Sequence, residues 1–380
     1  MKGEVGDIQG FLKKKEAHVF SVLKEVCEIP SPTFCEETKM RFLAQRLKEL
    51  GLKDVAIDAT GNATGTINSD PTDRTFVLIS AHGDTACESP VPIKVKEKGG
   101  HLFAHGICDD TAGVTAVLTF LDFLRITKIK LRHNYLIAFT VGEEGLGAKR
   151  GMKGLMHDFG KKIRYVVNVE SHDIGRVTNA CVGQLRGQLK ITTKQTGAHS
   201  WRNFGEPNAV VILSRIISNF SKVKIPSGST YNLTAVKGGK GINAIPNEAE
   251  CLFECRSGEQ KDIDFLAKQW QQIIEKHCTG TVNARFEVLA TTQAASFPST
   301  HPIFPITQRV QKSLRIKPYF KTGNTDGDVS LALGIPTVTL GSSNGFATHS
   351  LDEHLEKSTY LKGVEQIIRI ILALDQELKV

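Results

Sequence analysis

The sequence contains no apolar run long enough to cross a membrane. None of its stretches approaches the roughly 20 consecutive apolar residues that a spanning helix needs. Residues 1–15 are polar and charged, with neither the apolar segment nor the small-residue cleavage site of a secretory signal peptide. We therefore expect a cytoplasmic protein that has no membrane partner.

The eight cysteines include no Cys-x-x-Cys pair, which argues against a zinc-finger or redox motif. A chain of 380 residues can bury a large core without disulfide bonds, so we expect reduced thiols. Cys251 and Cys255 are four residues apart in an alternating segment, and they are predicted to share one face of a strand.

The sequence also lacks the long basic runs that bind nucleic acids. Its formal charge of +8 makes such a partner worth considering. The basic runs are short, however, as in residues 13–15 and 161–162, and no arginine run is interleaved with aromatic residues. This pattern indicates a hydrated basic surface rather than a nucleic-acid site.

Strands and helices alternate in the first half of the chain. Unbroken apolar runs predict strands that are covered on both faces, in residues 76–79, 135–141 and 165–169. Helical spacing of apolar residues predicts helices in residues 11–29, 35–50, 111–126 and 147–159. This order is typical of an α/β domain with a mixed, mostly parallel sheet flanked by helices.

The pattern changes after Cys181. Apolar and polar residues alternate there, which predicts half-buried antiparallel strands in residues 188–193, 231–236, 249–256 and 282–289. Helices are predicted in residues 207–220 and 262–277. We expect an inserted α+β domain of four strands and two helices over 182–290, within a domain formed by 1–181 and 291–380.

Histidine and acidic residues follow several of the buried strands. The strand in "TFVLISAHGDT" ends in a histidine and an aspartate, and four further segments place such residues at a strand end or helix start: His82 and Asp84, Asp109 and Asp110, Glu143 and Glu144, Glu170, and His349. Ligands of open α/β sheets bind beyond the carboxyl ends of the strands. We expect these side chains to meet at that edge.

A metal site explains these residues together. Each has an ordinary explanation alone: the aspartate pair would cap a helix, and the glutamate pair would be a hydrated helix start. Several carboxylates at one edge repel one another unless cations compensate. Imidazole and carboxylate ligands without thiolate suit Zn²⁺, with Mn²⁺ or Co²⁺ as alternatives, and the number of ligands indicates two ions.

The motifs resemble those of the co-catalytic zinc exopeptidases and amidohydrolases, which include peptidase T, carboxypeptidase G, acetylornithine deacetylase and succinyl-diaminopimelate desuccinylase. The resemblance rests on "HGD", "GICDDTAG", "GEEG", "VES", "TGAHS" and "THS" in this order, and it covers nearly the whole chain. The segments "GAHSWRNFG", "NAIPNEA" and "NTDGDVSLALGIP" look closest to the peptidase T-like branch.

The resemblance implies a role for each residue at the strand ends. Asp109 bridges two zinc ions and is joined to Asp110 by a cis peptide bond. Glu143 is the general base, and Asp84 orients the imidazole of a ligand. The remaining ligands are His82 and Glu170 at the first ion, and Glu144 and His349 at the second.

The resemblance also implies that the inserted domain is a lid and dimerisation domain, and it implies roles for three residues of that domain. His199 would stabilise the oxyanion across a homodimer, while Asn243 and Arg256 would contact the substrate, the arginine through a carboxylate. The ordinary alternatives are a loop histidine, a turn asparagine and a surface arginine. His172 and His354 lie close in sequence to Glu170 and His349 and are the alternative ligands, but Glu170 and His349 are the residues that stand in the family motifs.

The resemblance implies a di-zinc exopeptidase that cleaves small peptides, of the tripeptide aminopeptidase kind. An N-acyl amino-acid deacylase would share the catalytic set. A non-catalytic binding scaffold would be favoured if a ligand or Glu143 were missing, and none is. A nucleotide site at "GEEGLG" is disfavoured because carboxylates would lie where a phosphate must bind.

Overall fold

The computed structural model describes residues 7–86, 92–171, 173–194, 198–278 and 280–378. The chain forms two compact units. The first contains the residues up to Cys181 and from Ser296 onward, and the second contains Val182–Ala295. The change of pattern expected at residue 291 lies within the last long strand of the second unit, which continues to Thr292.

The described residues up to Cys181 contain four α-helices and nine strands. The helices are α1 (Ile8–Cys27), α2 (Glu37–Glu49), α3 (Thr111–Thr127) and α4 (Arg150–Phe159). The strands are β1 (Lys53–Ile57), β2 (Ala63–Ile67), β3 (Phe76–His82), β4 (Lys96–Lys98), β5 (His101–Phe103), β6 (Tyr135–Thr140), β7 (Ile163–Glu170), β8 (Arg176–Thr178) and β9 (Ala180–Cys181).

The second unit and the returning chain supply the other elements. The second unit contains β10 (Gly183–Thr193), α5 (Ala209–Phe220), β11 (Thr230–Gly238), β12 (Glu248–Ser257), α6 (Gln260–His277) and β13 (Val282–Thr292). The chain continues through β14 (Ala295–Ser296), α7 (Ile303–Ser313), β15 (Tyr319–Phe320), α8 (Gly327–Ala332), β16 (Thr337–Gly341), β17 (Gly345–Phe346), β18 (His354–Glu356) and α9 (Lys357–Glu377).

The main sheet of the first unit has eight strands in the order β1-β2-β6-β3-β7-β16-β8-β15. The four central strands, β6, β3, β7 and β16, run parallel. The pairs β1–β2, β2–β6 and β16–β8 are antiparallel, and β15 pairs parallel with β8. The predicted mixed α/β architecture is confirmed. Because the central strands are parallel and adjacent, their carboxyl ends open onto one edge of the sheet.

Both faces of the central strands are buried. Along β3, Val77 and Ile79 belong to a core that includes side chains of α1, α3 and α9. Leu78, which points to the opposite face, packs in a second core with Met152 and Leu155 of α4. This layering explains the unbroken apolar runs of the sequence, since no side of these strands faces water.

The second unit is a four-stranded antiparallel sheet, in the order β11-β12-β10-β13, with α5 and α6 packed on one face. Trp270 of α6 is fully buried and stacks on Phe253 of β12, with ring centroids 4.6 Å apart. Cys251 and Cys255 are buried in the same core, so the prediction that they share a face is confirmed.

The helix expected to begin at residue 147 begins later. Gly145–Gly147 form a 3₁₀ turn, and Ala148 and Lys149 have φ of 53° and 62°. Two successive left-handed residues cannot be part of a right-handed helix, so α4 begins at Arg150. Among the described residues, no helix has the length and apolar character required to traverse a bilayer.

Candidate metal centre

Three strand ends, the start of α3 and the loop between β17 and β18 bring the predicted ligands together. His82 ends β3, Glu170 ends β7, and the loop after β6 carries the two adjacent glutamates. The pairing register aligns these ends, because His82 lies opposite Thr140 of β6 and Glu170 lies opposite Gly341 of β16. The apolar strands therefore deliver polar side chains to a common edge.

The first group of potential ligands is His82, Asp109 and Glu170. The Nε2 atom of His82 lies 2.9 Å from Asp109 Oδ1 and 3.8 Å from Glu170 Oε2. All three side chains are buried. Asn168 donates a 3.1 Å hydrogen bond to Glu170 Oε1, which leaves Oε2 directed toward the histidine.

The second group is Asp109, Glu144 and His349. His349 Nε2 lies 3.1 Å from Asp109 Oδ2 and 3.0 Å from Glu144 Oε1. Asp109 thus belongs to both groups and uses a different carboxylate oxygen in each. The side chains of Asp109 and Glu144 are buried, whereas the side chain of His349 is 53% exposed.

Glu143 lies beside both groups. One of its carboxylate oxygens is within 4.8 Å of ligand atoms of His82 and Glu144. Burial raises the pKa of Glu143 well above its usual range, although the neighbouring His82 counters the shift. A carboxyl group with a raised proton affinity, placed next to potential metal ligands, is suited to accept and return a proton.

Asp84 connects the tip of β3 to the glutamate loop. Its carboxylate accepts 3.0 Å hydrogen bonds from the backbone N–H groups of Glu143 and Glu144, and a 2.9 Å bond from the Thr33 hydroxyl. His82 Nδ1 lies 3.1 Å from the backbone oxygen of Asp84 and 3.5 Å from its carboxylate. Asp84 therefore contacts the ring and also fixes the backbone of both glutamates.

Asp110 caps helix α3 and contacts the end of β3, a role that the sequence offered only as one explanation of the aspartate pair. Its Oδ1 caps α3 by accepting a 3.1 Å bond from Gly113 N, and its Oδ2 accepts a 3.2 Å bond from His82 N. The peptide bond between Asp109 and Asp110 is cis, as the resemblance implies. The helix-capping explanation thus applies to Asp110, while Asp109 points into the ligand groups.

The electrostatics of the cluster fit a bound cation. Hydrogen bonds that His349 donates to the carboxylates of Asp109 and Glu144 raise its pKa to about 10, and burial raises the pKa of Glu170 to about 8. For His82, burial lowers the pKa, but bonds to Asp109 and Asp84 outweigh it and the net shift is upward. Each of these shifts favours the proton-bound form of the group, and a divalent cation in the cluster would be stabilised by the same carboxylates.

The donor set and its spacing also fit a metal. Ligand atoms within each group lie within 4.8 Å of one another. Three ligands at about 2.0–2.2 Å from one zinc ion would lie closer than this limit. Imidazole and carboxylate donors without thiolate match zinc and the neighbouring divalent ions.

Some residues near the centre were not predicted. Thr33 and Asn168, described above, contact Asp84 and Glu170; Asp326 is buried and accepts a hydrogen bond from Thr140. Glu353 is buried behind Asp109. Thr33, Asp326 and Glu353 reach the site through long-range packing, which leaves no signal in their spacing; only "NTDGDVSLALGIP" marked the region of Asp326. Asn168 lies on β7 two residues before Glu170, and its residue type alone did not indicate the contact.

The predicted substrate residues lie in the second unit. His199 and Asn243 are on two adjacent loops, joined by a 2.9 Å bond from Ser200 N to the oxygen of Asn243. Arg256 is on β12, and its guanidinium donates two hydrogen bonds to Glu254, at 2.8 and 3.1 Å. Their roles toward a substrate stay predictions.

The two alternative histidines have different outcomes. The ring of His354 stacks between Phe103 and Phe346, and its Nδ1 lies 2.7 Å from Asp352 O. It belongs to none of the ligand groups found among the described residues. His172 lies outside the described residues.

Comparison with known proteins identifies the family. The profile of peptidase family M20/M25/M40 matches residues 78–373. A succinyl-diaminopimelate desuccinylase of Rickettsia rickettsii (strain Sheila Smith) is 24% identical over 372 residues, which cover 90% of this chain and 95% of that protein.

Two solved structures share the fold. A tripeptidase from Staphylococcus aureus has a TM-score of 0.81 and 22% identity, with 95% of this chain and 99% of that chain covered. A dinuclear metal-binding peptidase of the M20 family from Bacillus subtilis has a TM-score of 0.71 and 14% identity, with coverages of 96% and 99%. The family match confirms the resemblance of the motifs: this chain belongs to peptidase family M20/M25/M40, a family of metallopeptidases and amidohydrolases.

Proposed function

We propose that the protein is a di-zinc exopeptidase that hydrolyses the amide bond of small peptides, in the manner of a tripeptide aminopeptidase. The observation that carries this proposal is the pair of ligand groups sharing Asp109, with Glu143 beside them. His82 and Glu170 would complete one zinc site, and Glu144 and His349 the other. Mn²⁺ or Co²⁺ would suit the same donors.

The residues of the centre divide the work of hydrolysis. Two bound ions would lower the pKa of a water molecule and polarise the scissile carbonyl. Glu143 takes the proton of the attacking water and gives a proton to the leaving amine. Asp84 holds the backbone of Glu143 and Glu144 through separate carboxylate oxygens, so that one side chain serves the proton and the other a metal.

The second unit is proposed to bind the substrate and a second copy of the chain. His199 would stabilise the developing oxyanion, and Asn243 and Arg256 would contact the peptide. Arg256 uses Nε and one terminal nitrogen on Glu254, so its other terminal nitrogen would bind a substrate carboxylate. Val210, Val211 and Val236 of α5 and β11 are exposed and would suit the interface of a homodimer.

A second candidate is an N-acyl amino-acid deacylase. The sequence similarity to succinyl-diaminopimelate desuccinylases favours this second candidate. The structural similarity to the tripeptidase, which has the higher TM-score of the two structures described above, favours the first. The two activities share the catalytic set and differ in the groups that flank the scissile amide. We propose the peptidase first, and a cytoplasmic location for either activity.

A substrate panel separates these candidates. Zinc-loaded protein is assayed with tripeptides, dipeptides, N-acetyl amino acids and N-succinyl amino acids, before and after treatment with a chelator. We expect tripeptide cleavage that the chelator abolishes and added zinc restores. Cleavage of acylated amino acids alone would favour the second candidate, and the absence of any metal-dependent hydrolysis would favour a binding scaffold.

A further inference from the structure

The carboxylate of Glu353 is buried at the meeting point of two loops. One loop carries Asp109, and the other carries His349 and Glu353 itself. Glu353 Oε1 accepts backbone hydrogen bonds from Cys108 and Asp109, at 2.8 and 2.9 Å, and Oε2 accepts one from Gly106 at 2.8 Å. The side chain has no exposed surface.

Further bonds join the same two loops. Ala104 N donates to the backbone oxygen of Glu353 at 3.1 Å. Within the second loop, Glu353 N donates to Ser350 O at 3.3 Å. The Cys108 thiol donates to the backbone oxygen of His354 at 3.1 Å. Beyond these contacts β5 and β18 pair antiparallel. The Glu353 carboxylate therefore lies at the centre of the contacts between the two loops, and the pairing of β5 with β18 extends these contacts into a small sheet.

The geometry calls for a group that only accepts hydrogen bonds. Three N–H donors converge on two oxygens, and a carboxylate has acceptor capacity for all of them. A glutamine side chain has one oxygen and one NH₂ group, so its NH₂ group would face the backbone N–H either of Gly106 or of Cys108 and Asp109. The backbone N–H groups on that side would then be buried without an acceptor. His105 Nδ1 lies 3.8 Å from Oε2, beyond hydrogen-bonding distance.

We propose that Glu353 is a positioning residue for the metal centre. By holding the backbone N–H of Asp109, and being four residues from His349, it sets how the shared aspartate faces the two histidines. This inference rests on the proposed di-zinc function, because it assigns Asp109 and His349 as ligands. Residues outside the ligand shell that orient ligands typically affect metal affinity about 10- to 100-fold.

Zinc affinity tests the proposal without relying on catalysis. Apo protein is titrated with Zn²⁺ against a chromophoric chelator, for the wild type, Glu353→Gln and Glu365→Gln. Glu365 is a matched control: it is a buried glutamate on α9 that bonds to Arg369 and Gln9. We expect at least one zinc ion to bind about 10- to 100-fold more weakly in Glu353→Gln, with wild-type affinity in Glu365→Gln.

Two outcomes would overturn the proposal: wild-type zinc affinity in Glu353→Gln, or an equal loss in both variants, which would reflect general destabilisation. Circular dichroism checks that each variant is folded. If Glu353→Gln does not fold, Glu353→Asp replaces it; its shorter side chain cannot reach both sets of donors, so wild-type affinity there would also overturn the proposal. Failure of the wild type to cleave peptides would contradict the proposed function and leave this test intact.

Discussion

Charged residues are held differently in the two compact units. In the first unit, Lys149 and Asp328 lie 2.5 Å apart with side chains only 3% and 1% exposed. In the second, Lys190 and Glu248 lie 3.4 Å apart with side chains 48% and 59% exposed. Water solvates the charges of the exposed pair whether or not the two side chains meet. Each buried charge of the first pair, in contrast, is destabilising unless its partner of opposite charge is present.

The acids at the strand ends differ from both pairs. Asp109, Glu144 and Glu170 are buried like Asp328, but within the ligand groups they face one another and two histidines. Gathering buried carboxylates is costly unless positive charge lies among them, from a protonated histidine or from a bound cation. The contrast teaches that a cation is expected where several buried acids of the first unit meet two histidines, and that charge alone does not mark a site.

The largest effect is expected for Glu143→Gln. The substitution keeps the size of the side chain but removes the proton acceptor, so kcat should fall about 10²- to 10⁴-fold. Metal content should stay at the wild-type level, because Glu143 is not assigned as a ligand. Glu287→Gln, on an exposed strand of the second unit, is the control and should leave kcat unchanged; a kcat of Glu143→Gln near the wild-type value would refute the assignment.

The comparison of ion pairs predicts the next effect. Asp328→Asn leaves the buried ammonium of Lys149 without its charged partner, and we expect destabilisation of about 3–5 kcal/mol. Glu248→Gln in the exposed pair should cost about 0.2–1 kcal/mol. Urea denaturation of both variants measures the difference. Equal destabilisation would show that burial does not separate the two pairs.

Arg256→Ala probes whether the second unit contributes more than surface charge. If its guanidinium binds a substrate carboxylate, KM for a tripeptide should rise about 10- to 100-fold, as expected for a hydrogen bond to a charged group. The corresponding peptide amide, which has no terminal carboxylate, should show a smaller change. A uniform change with both substrates would assign Arg256 to the Glu254 pair alone.

A smaller effect concerns the pH dependence of protein stripped of metal. The pKa of His349 is raised to about 10 and that of Glu170 to about 8, so the folded state retains protons that the unfolded chain releases at lower pH. Stability should therefore fall as the pH rises, most steeply between about 6.5 and 8, where both groups contribute.

The measurement is Tm from pH 6 to 9, with and without zinc. Bound zinc competes with these protons, and the fall should be smaller in the loaded protein. Glu170→Gln should flatten the curve of the stripped protein, because it removes one of the two groups. A steeper fall with zinc present would contradict the assignment of these residues as ligands.

Much of the fold could be predicted from local patterns. The central strands β3, β6 and β7 are apolar on both faces, and this reflects burial between two helical layers. The short strands β8, β15 and β17 have two or three residues, too few for any period to appear. The start of α4 was misplaced because left-handed residues at 148 and 149 follow from packing of the turn and leave no periodic signal.

The candidate site was predictable only in part for a similar reason. His82 and Glu170 directly end apolar strands, so their place in the chain shows their place in the sheet. The sharing of Asp109 between two groups came from the family resemblance, since spacing alone does not show which side chains meet. Glu353 contacts the Asp109 loop across 244 residues of sequence, and no local pattern indicates such a contact.

Metal stoichiometry in two ligand variants tests the central claim, the shared aspartate, most directly. Elemental analysis is applied to wild-type protein, Asp109→Ala and His349→Ala after loading with zinc and removal of the excess. The account predicts about two ions per wild-type chain, about one in His349→Ala and close to none in Asp109→Ala. Two ions retained in Asp109→Ala would contradict a centre built around that residue.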